Sequence, residues 1–226
     1  MTLTIAHRGE PVEHIENTLP SFQAAVSAGA DMVEVDVRLT SDGVPVLLHD
    51  ASLQRIWGPS RDIVELTADE VAAVRGPGGA RIPTLADAAR LITGAGRQIM
   101  VDLPEPKAIP NAHAVLEDLG VMDACLFAGR SPTMRSEMPT ARLALSWDDV
   151  ALPEPSTLDY YRPEYFNPHF QLLTAGIADL MHEHGISVSV WTVDHPRDMA
   201  AVITQGADAV ITNKIADLVA LVADAS

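Results

Sequence analysis

Within one short stretch, residues 34 to 50, the chain carries Glu34, Asp36, His49 and Asp50. Side chains two apart in a strand share a face, so Glu34 and Asp36 project together while Val33, Val35 and Val37 project to the other side. Paired carboxylates in a valine-rich strand are costly to bury unless a cation or hydrogen bonds compensate, and a divalent metal held by oxygen ligands is the simplest compensation. Spacing alone also allows a half-exposed strand with an acidic outer face. Hard cations take oxygen ligands, which points to Mg²⁺ or Ca²⁺ rather than zinc. Three further groups carry chemistry: His7-Arg8, Glu105-Pro106-Lys107 and Trp191. Arg8 and Lys107 are cations able to meet a substrate oxyanion, Arg8 having Glu16 as a competing partner. His7 and His49, titrating near neutrality, can serve as a base and an acid on a reacting phosphorus. Metal, cation clamp and two proton-transfer groups together make the kit for phosphodiester cleavage.

The elements that must position these groups are legible in the pattern. Leu3 to Ala6 is a short apolar run ending at His7-Arg8-Gly9, a buried strand opening into a loop. Leu19, Phe22, Ala25 and Val26 keep helical spacing, with Asn17 or Thr18 as N-cap and Gly29 as stop. Asp31 to Leu39 is the second strand, which completes a βαβ unit and implies parallel pairing. Only Ser41-Asp42-Gly43 then separates Leu39 from the apolar run Val44 to Leu48. A connection this short forces an antiparallel hairpin, and it brings His49 back towards the carboxylates. Beyond an irregular stretch with a short helix from Ala68 to Val74, strands at 99–103, 123–128, 142–146, 165–167, 187–191 and 209–212 alternate with helices, apart from one loop of little pattern before Tyr165.

Leaving out the return strand of the hairpin, eight strands alternate with helices, the number that closes a parallel barrel. The expected fold class is therefore α/β, a (β/α)8 TIM barrel with a small insertion after the second strand, at about residues 40–82. One domain over residues 1–226 is expected. A doubly wound open sheet is the second choice, disfavoured because no Gly-x-Gly-x-x-Gly turn follows the first strand. In a barrel, His7, Arg8, Glu34, Asp36, Glu105, Lys107 and Trp191 would gather at the carboxyl ends of the strands. Trp191 there either packs on substrate or is plain core.

Composition narrows the partners. The 226 residues hold 15 Lys and Arg against 31 Asp and Glu, a formal charge of −16. Such a balance disfavours a nucleic-acid phosphate backbone or an anionic membrane as partner, and an anionic small-molecule substrate would need a local positive site. There is no apolar run of membrane-spanning length, and stable membrane insertion is not expected. A single cysteine, Cys125, and no recognisable leader suit a cytoplasmic protein. Nothing in the composition sets the oligomeric state.

Taken in order, His7-Arg8-Gly9, Glu16-Asn17-Thr18, Glu34-x-Asp36, Asp42-Gly43-x-Pro45-x-x-x-His49-Asp50, Ile82-Pro83-Thr84-Leu85, Glu105-x-Lys107 and Trp191-Thr192-Val193 resemble the glycerophosphodiester phosphodiesterase family over residues 5 to about 215. The resemblance implies the same barrel and metal-dependent hydrolysis of glycerophosphodiesters to glycerol 3-phosphate and an alcohol. It implies His7 and His49 as the acid/base pair, without saying which is which. It further implies Glu34, Asp36 and Glu105 as metal ligands, with Arg8 and Lys107 on phosphate. Two departures stand out. Glu105 is flanked by Pro104 and Pro106, which cannot donate to a strand ladder, so Asp102 is a rival third ligand. Ile211-Thr212-Asn213-Lys214 stands where relatives usually carry Ile-Thr-Asp and then Pro. Two other readings remain: a lipid phosphodiesterase of the lysophospholipase D kind, and a barrel that binds a phosphate ester without catalysis.

Overall fold

The computed structural model describes residues 2–58 and 60–224, so Met1, Pro59, Ala225 and Ser226 of the expected 1–226 domain lie outside the described residues. Eight parallel strands close into a barrel: β1 (Leu3–Ala6), β2 (Met32–Leu39), β4 (Gln98–Asp102), β5 (Cys125–Gly129), β6 (Leu143–Trp147), β7 (Tyr165–Pro168), β8 (Ser187–Val190) and β9 (Ala209–Thr212). Closure comes from β1, which pairs in parallel with both β2 and β9. The ninth strand, β3 (Pro45–Leu47), runs antiparallel to the outer end of β2, with Val37 opposite Leu47 and Leu39 opposite Pro45. Gly43, at φ 81°, lets the chain reverse between them. The expected barrel, including its hairpin, is thus the observed one.

The period-2 pattern sorts β2 between two cores. Val33, Val35 and Val37 face outward into the large layer between barrel and helices, together with Phe22, Leu85, Val101 and Phe127. Met32, on the other face, joins Ile5, Met100, Leu126, Ala144, Tyr165 and Ile211 inside the barrel. Glu34 and Asp36 share that inward face, and Asp102 follows Met100 by two residues on β4. The barrel floor is therefore apolar and its mouth acidic.

The helices lie where capping chemistry allows. In α1 (Leu19–Ser27) the N-cap is Thr18, whose hydroxyl accepts from Ser21 N–H, and this leaves Asn17 free for another task. The insertion carries α2 (Ala68–Ala73), started by a capping box between Thr67 and Glu70. It packs its own small core, Val46, Leu48, Leu53, Trp57, Ile63, Leu66, Val71 and Ile82. Then follow α3 (Leu85–Gly94), α4 (Ile109–Asp118) and α5 (Pro132–Glu137). The patternless loop before Tyr165 contains α6 (Pro155–Tyr161), a seven-residue helix with Pro155 in its first turn; its N-cap, Glu154, makes no side-chain capping bond, so no capping side chain marks its start. Next come α7 (Ala175–Glu183), α8 (Pro196–Thr204) and α9 (Ile215–Asp224). Thr174 caps α7, its hydroxyl accepting from Ile177 N–H. No helix among the described residues is long and apolar enough to cross a membrane.

Candidate active site

Strands β2 and β4 deliver three carboxylates to the barrel mouth. Their register sets Glu34 beside Met100 and Asp36 beside Asp102. One oxygen from each of Glu34, Asp36 and Asp102 lies within 4.8 Å of the others. Burial, and then the charges of Asp36 and Asp102, push the Glu34 carboxyl well above the usual range. Burial and the Asp36 charge push Asp102 up to about 7. Three mutually repelling carboxylates with all-oxygen donor atoms fit a divalent cation such as Mg²⁺ or Ca²⁺, whose charge would remove the penalty.

The trio is held by groups from the loop after β1. Asn17 donates through Nδ2 to Asp36 Oδ2 at 2.6 Å, and its Oδ1 accepts the Asp36 backbone N–H at 3.2 Å. Arg8 N–H donates to Glu34 Oε2 at 2.9 Å, while its Nε lies 3.0 Å from Asp36 Oδ2 and its Nη1 3.0 Å from Glu16 Oε1. Arg8 pairs with Glu16 and still lines the cavity, so the two expectations for it are compatible. This tight turn runs through Arg8 at φ 58° and Gly9 at φ 87°. A Cβ on Gly9 would stand 2.3 Å from Ser21 Oγ and 2.7 Å from the Ser21 carbonyl carbon, so both conformation and space demand glycine.

The two histidines have different surroundings. His7 is partly buried, and its Nδ1 lies 2.8 Å from Asn213 Oδ1. Burial and the neighbouring Arg8 charge hold its pKa below the ordinary value, against Asn213, Asp36 and Asp194, which pull the other way. His49 stands on the exposed arm of the hairpin with Nδ1 2.8 Å from Asp50 Oδ1. The other Asp50 oxygen takes Arg55, which also grips Glu16 at 2.6 Å. An ionic chain His49, Asp50, Arg55, Glu16, Arg8, Asp36 thereby joins the insertion to the carboxylates.

Glu105 and Lys107 fall elsewhere. The Glu105 Oε1 accepts from Arg38 Nη1 at 2.6 Å and its Oε2 faces Lys107 Nζ at 3.3 Å. Burial alone would raise this carboxyl, but the Arg38 and Lys107 contacts outweigh it and hold it below the usual range. The Lys107 side chain is 61 % exposed. Neither residue lines the cavity, and Asp102, not Glu105, completes the carboxylate trio. The proline pair ends β4 at Asp102 and turns the chain away before Glu105. Arg38 in turn donates through Nε to the His49 carbonyl at 3.0 Å, so Glu105 braces the His49 arm.

His7, Arg8, Glu34, Asp36, His49, Asp102 and Trp191 line one cavity of about 390 Å³. Arg130 and Trp147 extend it, with the Arg130 guanidinium 4.7 Å from the indole centroid and paired with Asp149 at 2.6 Å. Trp191 lines the cavity while its Nε1 donates to Asn167 O at 2.9 Å. Sequence reasoning did not single out Arg130, Arg55 or Asp194, and it gave Asn17 only a capping role. The motif Glu16-Asn17-Thr18 held the signal for Asn17, and the unusual Asn213 held the one for Asp194.

Comparison with known proteins follows the same lines. A sequence model described as the glycerophosphoryl diester phosphodiesterase family matches residues 7–217. The chain is 26% identical over 238 residues to a glycerophosphodiester phosphodiesterase of Caldanaerobacter subterraneus subsp. tengcongensis, covering 98% of each protein. Among solved structures it resembles a phosphodiesterase of Oleispira antarctica in complex with the product sn-glycerol-3-phosphate, with TM-score 0.89, 23% identity and coverage of 99% of this chain and 97% of the other. It also resembles the glycerophosphodiester phosphodiesterase of Thermotoga maritima, with TM-score 0.85, 25% identity and 98% of each chain covered.

Proposed function

The chain belongs to the glycerophosphoryl diester phosphodiesterase family, and from that premise we propose that it hydrolyses glycerophosphodiesters to glycerol 3-phosphate and an alcohol, using a divalent metal and two histidines. The observation that carries this reading is the shared cavity: three carboxylates with oxygens within 4.8 Å of one another open onto the same space as His7 and His49. Glu34, Asp36 and Asp102 would hold Mg²⁺ or Ca²⁺, which when bound supplies Lewis-acid stabilisation of charge on the phosphoryl oxygens. Asn17 and the Arg8 backbone keep two of these carboxylates oriented, in the manner of groups that support a metal's ligands.

Arg8 presents its guanidinium to a phosphoryl oxygen, and Trp191 bounds the substrate space. An oxygen from water or from the neighbouring glycerol hydroxyl forms the new bond to phosphorus and gives its proton to one histidine. The bond to the leaving alcohol breaks, and the other histidine protonates the departing oxygen; where the glycerol hydroxyl attacks, water then opens the cyclic phosphate to glycerol 3-phosphate, with the two histidines exchanging roles. Lys107, paired with Glu105 away from the cavity, has no part in this scheme. The cavity sets its charged groups against Trp147, Trp191, Met100 and Ile211, so headgroup diesters and the lysophospholipase D alternative are separated by assay, and a barrel that merely bound phosphate esters would need neither histidine.

The test is glycerol 3-phosphate release from glycerophosphocholine and glycerophosphoethanolamine with Mg²⁺, Ca²⁺ or EDTA, comparing wild type with His49→Ala and Glu34→Ala. Release that needs metal and vanishes in both variants is expected. Release unaffected by EDTA would remove the metal from the scheme; no release with either metal would overturn the substrate class, and lysophosphatidylcholine would be assayed next.

A further inference from the structure

We propose that Asn213, itself held by Asp194, is a positioning residue that locks the neutral ring of His7 with its proton on Nδ1, so that Nε2 is the atom offered to the attacking oxygen. The inference rests on the hydrolytic reading above and adds to it an assignment of the two histidines.

Hydrogen-bond polarity alone leads there. Asp194 Oδ1 accepts the Asn213 backbone N–H at 2.8 Å and the Thr212 hydroxyl at 3.1 Å, and its Oδ2 accepts Asn213 Nδ2 at 2.7 Å. An ionised carboxylate has only acceptors, so the amide nitrogen of Asn213 must face Asp194 and the amide oxygen must face away. That oxygen lies 2.8 Å from His7 Nδ1. An amide oxygen cannot donate, so the ring nitrogen must. In an imidazole the hydrogen bond made by one nitrogen decides the state of the other, and Nε2 is left with its lone pair.

The backbone keeps the two side chains in register. β1 pairs with β9 so that Ala6 is opposite Thr212, and His7 N–H donates to Thr212 O at 2.9 Å. His7 and Asn213 are thus the next residues out on two adjacent strands. His49 has a different Nδ1 partner, the carboxylate of Asp50 at 2.8 Å, where His7 has the amide oxygen of Asn213. The Asn213 contact therefore assigns His7 as the group that accepts the proton, on Nε2, which leaves His49 to deliver one to the leaving alkoxide.

Long-range ¹H–¹⁵N correlation spectra of ¹⁵N-histidine-labelled protein read the tautomer directly and need no turnover. His7 signals are identified by their loss in His7→Gln. The wild type is expected to show protonated Nδ1 and bare Nε2 on the neutral His7 ring, and Asn213→Leu to lose that state. In kinetics, Asn213→Leu should lower kcat by about 10- to 100-fold, the range seen for groups that orient a metal's ligands, with KM little changed. A neutral wild-type His7 protonated on Nε2, or an unchanged tautomer in Asn213→Leu, would overturn the proposal. The wild-type spectrum decides even if Asn213→Leu fails to fold. Absence of hydrolysis with the expected tautomer present would instead count against the proposed function alone.

Discussion

Asp36 and Asp102 are register partners on adjacent parallel strands, two acids side by side with Glu34 one turn of the pleat below. Their mutual repulsion in a buried setting makes the trio a liability that low pH and a bound cation would each relieve. Asp102 is pushed up to about 7, above its value in an unfolded chain. A carboxyl raised on folding lends stability that is complete below the unfolded pKa and is lost as pH rises through the folded one. Metal-free protein should therefore melt at lower temperature at pH 8 than at pH 5, by at most about 1.4 kcal/mol per pH unit for one proton. Added Mg²⁺ or Ca²⁺ should raise the melting temperature more at pH 8. Thermal melts in EDTA and in each metal measure both effects; an equal metal gain at the two pH values would argue against binding at the trio.

Asp102→Asn and Glu105→Gln separate the two rivals for third ligand. Loss of Asp102 should abolish metal-dependent stabilisation and cut kcat/KM by about 100-fold or more, as expected for an ion that stabilises the transition state. Glu105→Gln should leave metal stabilisation intact and act only through Arg38 and the His49 arm, within about 10- to 100-fold. The reverse ranking in titrations followed by thermal shift would return Glu105 to the metal.

Arg55 joins Asp50 to Glu16 from an exposed position in the insertion. Exposed ion pairs contribute about 0–1 kcal/mol to stability, so Arg55→Met should change the unfolding free energy by no more than that. It should nonetheless lower kcat by roughly tenfold by loosening His49. Denaturant unfolding and steady-state kinetics on one preparation test the pair of expectations, and unaltered kcat would show that the ionic chain does not position the histidine.

Gly9→Ala meets both a positive φ and a 2.3 Å contact with Ser21. Strain of this kind costs about 1–3 kcal/mol, and because Arg8 and His7 immediately precede it, activity should fall along with stability. Chemical denaturation gives the first quantity; a neutral result would mean that the turn relaxes at no cost.

Local chemistry explains how much was legible in advance. Strand and helix periods, the caps at Thr18, Thr67 and Thr84, and the Asp42-Gly43 turn act within a few residues, so the order of elements, and with it the barrel, could be read along the chain. The same period set Glu34 and Asp36 on one face. Helix α6 escaped because its N-cap, Glu154, makes no side-chain capping bond, and the choice between Asp102 and Glu105 was left open because a motif match does not show that β4 ends at Asp102, beside Asp36.

The architecture, the acidic inward face of β2 and the return of His49 by a hairpin each depend on neighbours close in the chain. The remaining relationships needed the closed barrel. Whether Asp102 or Glu105 joins the carboxylates follows from the β2–β4 register across more than sixty residues of chain, and the partner of His7 lies 206 residues away. Such pairs exist only once β1 closes against β9, and closure is a collective result of eight strands burying one core.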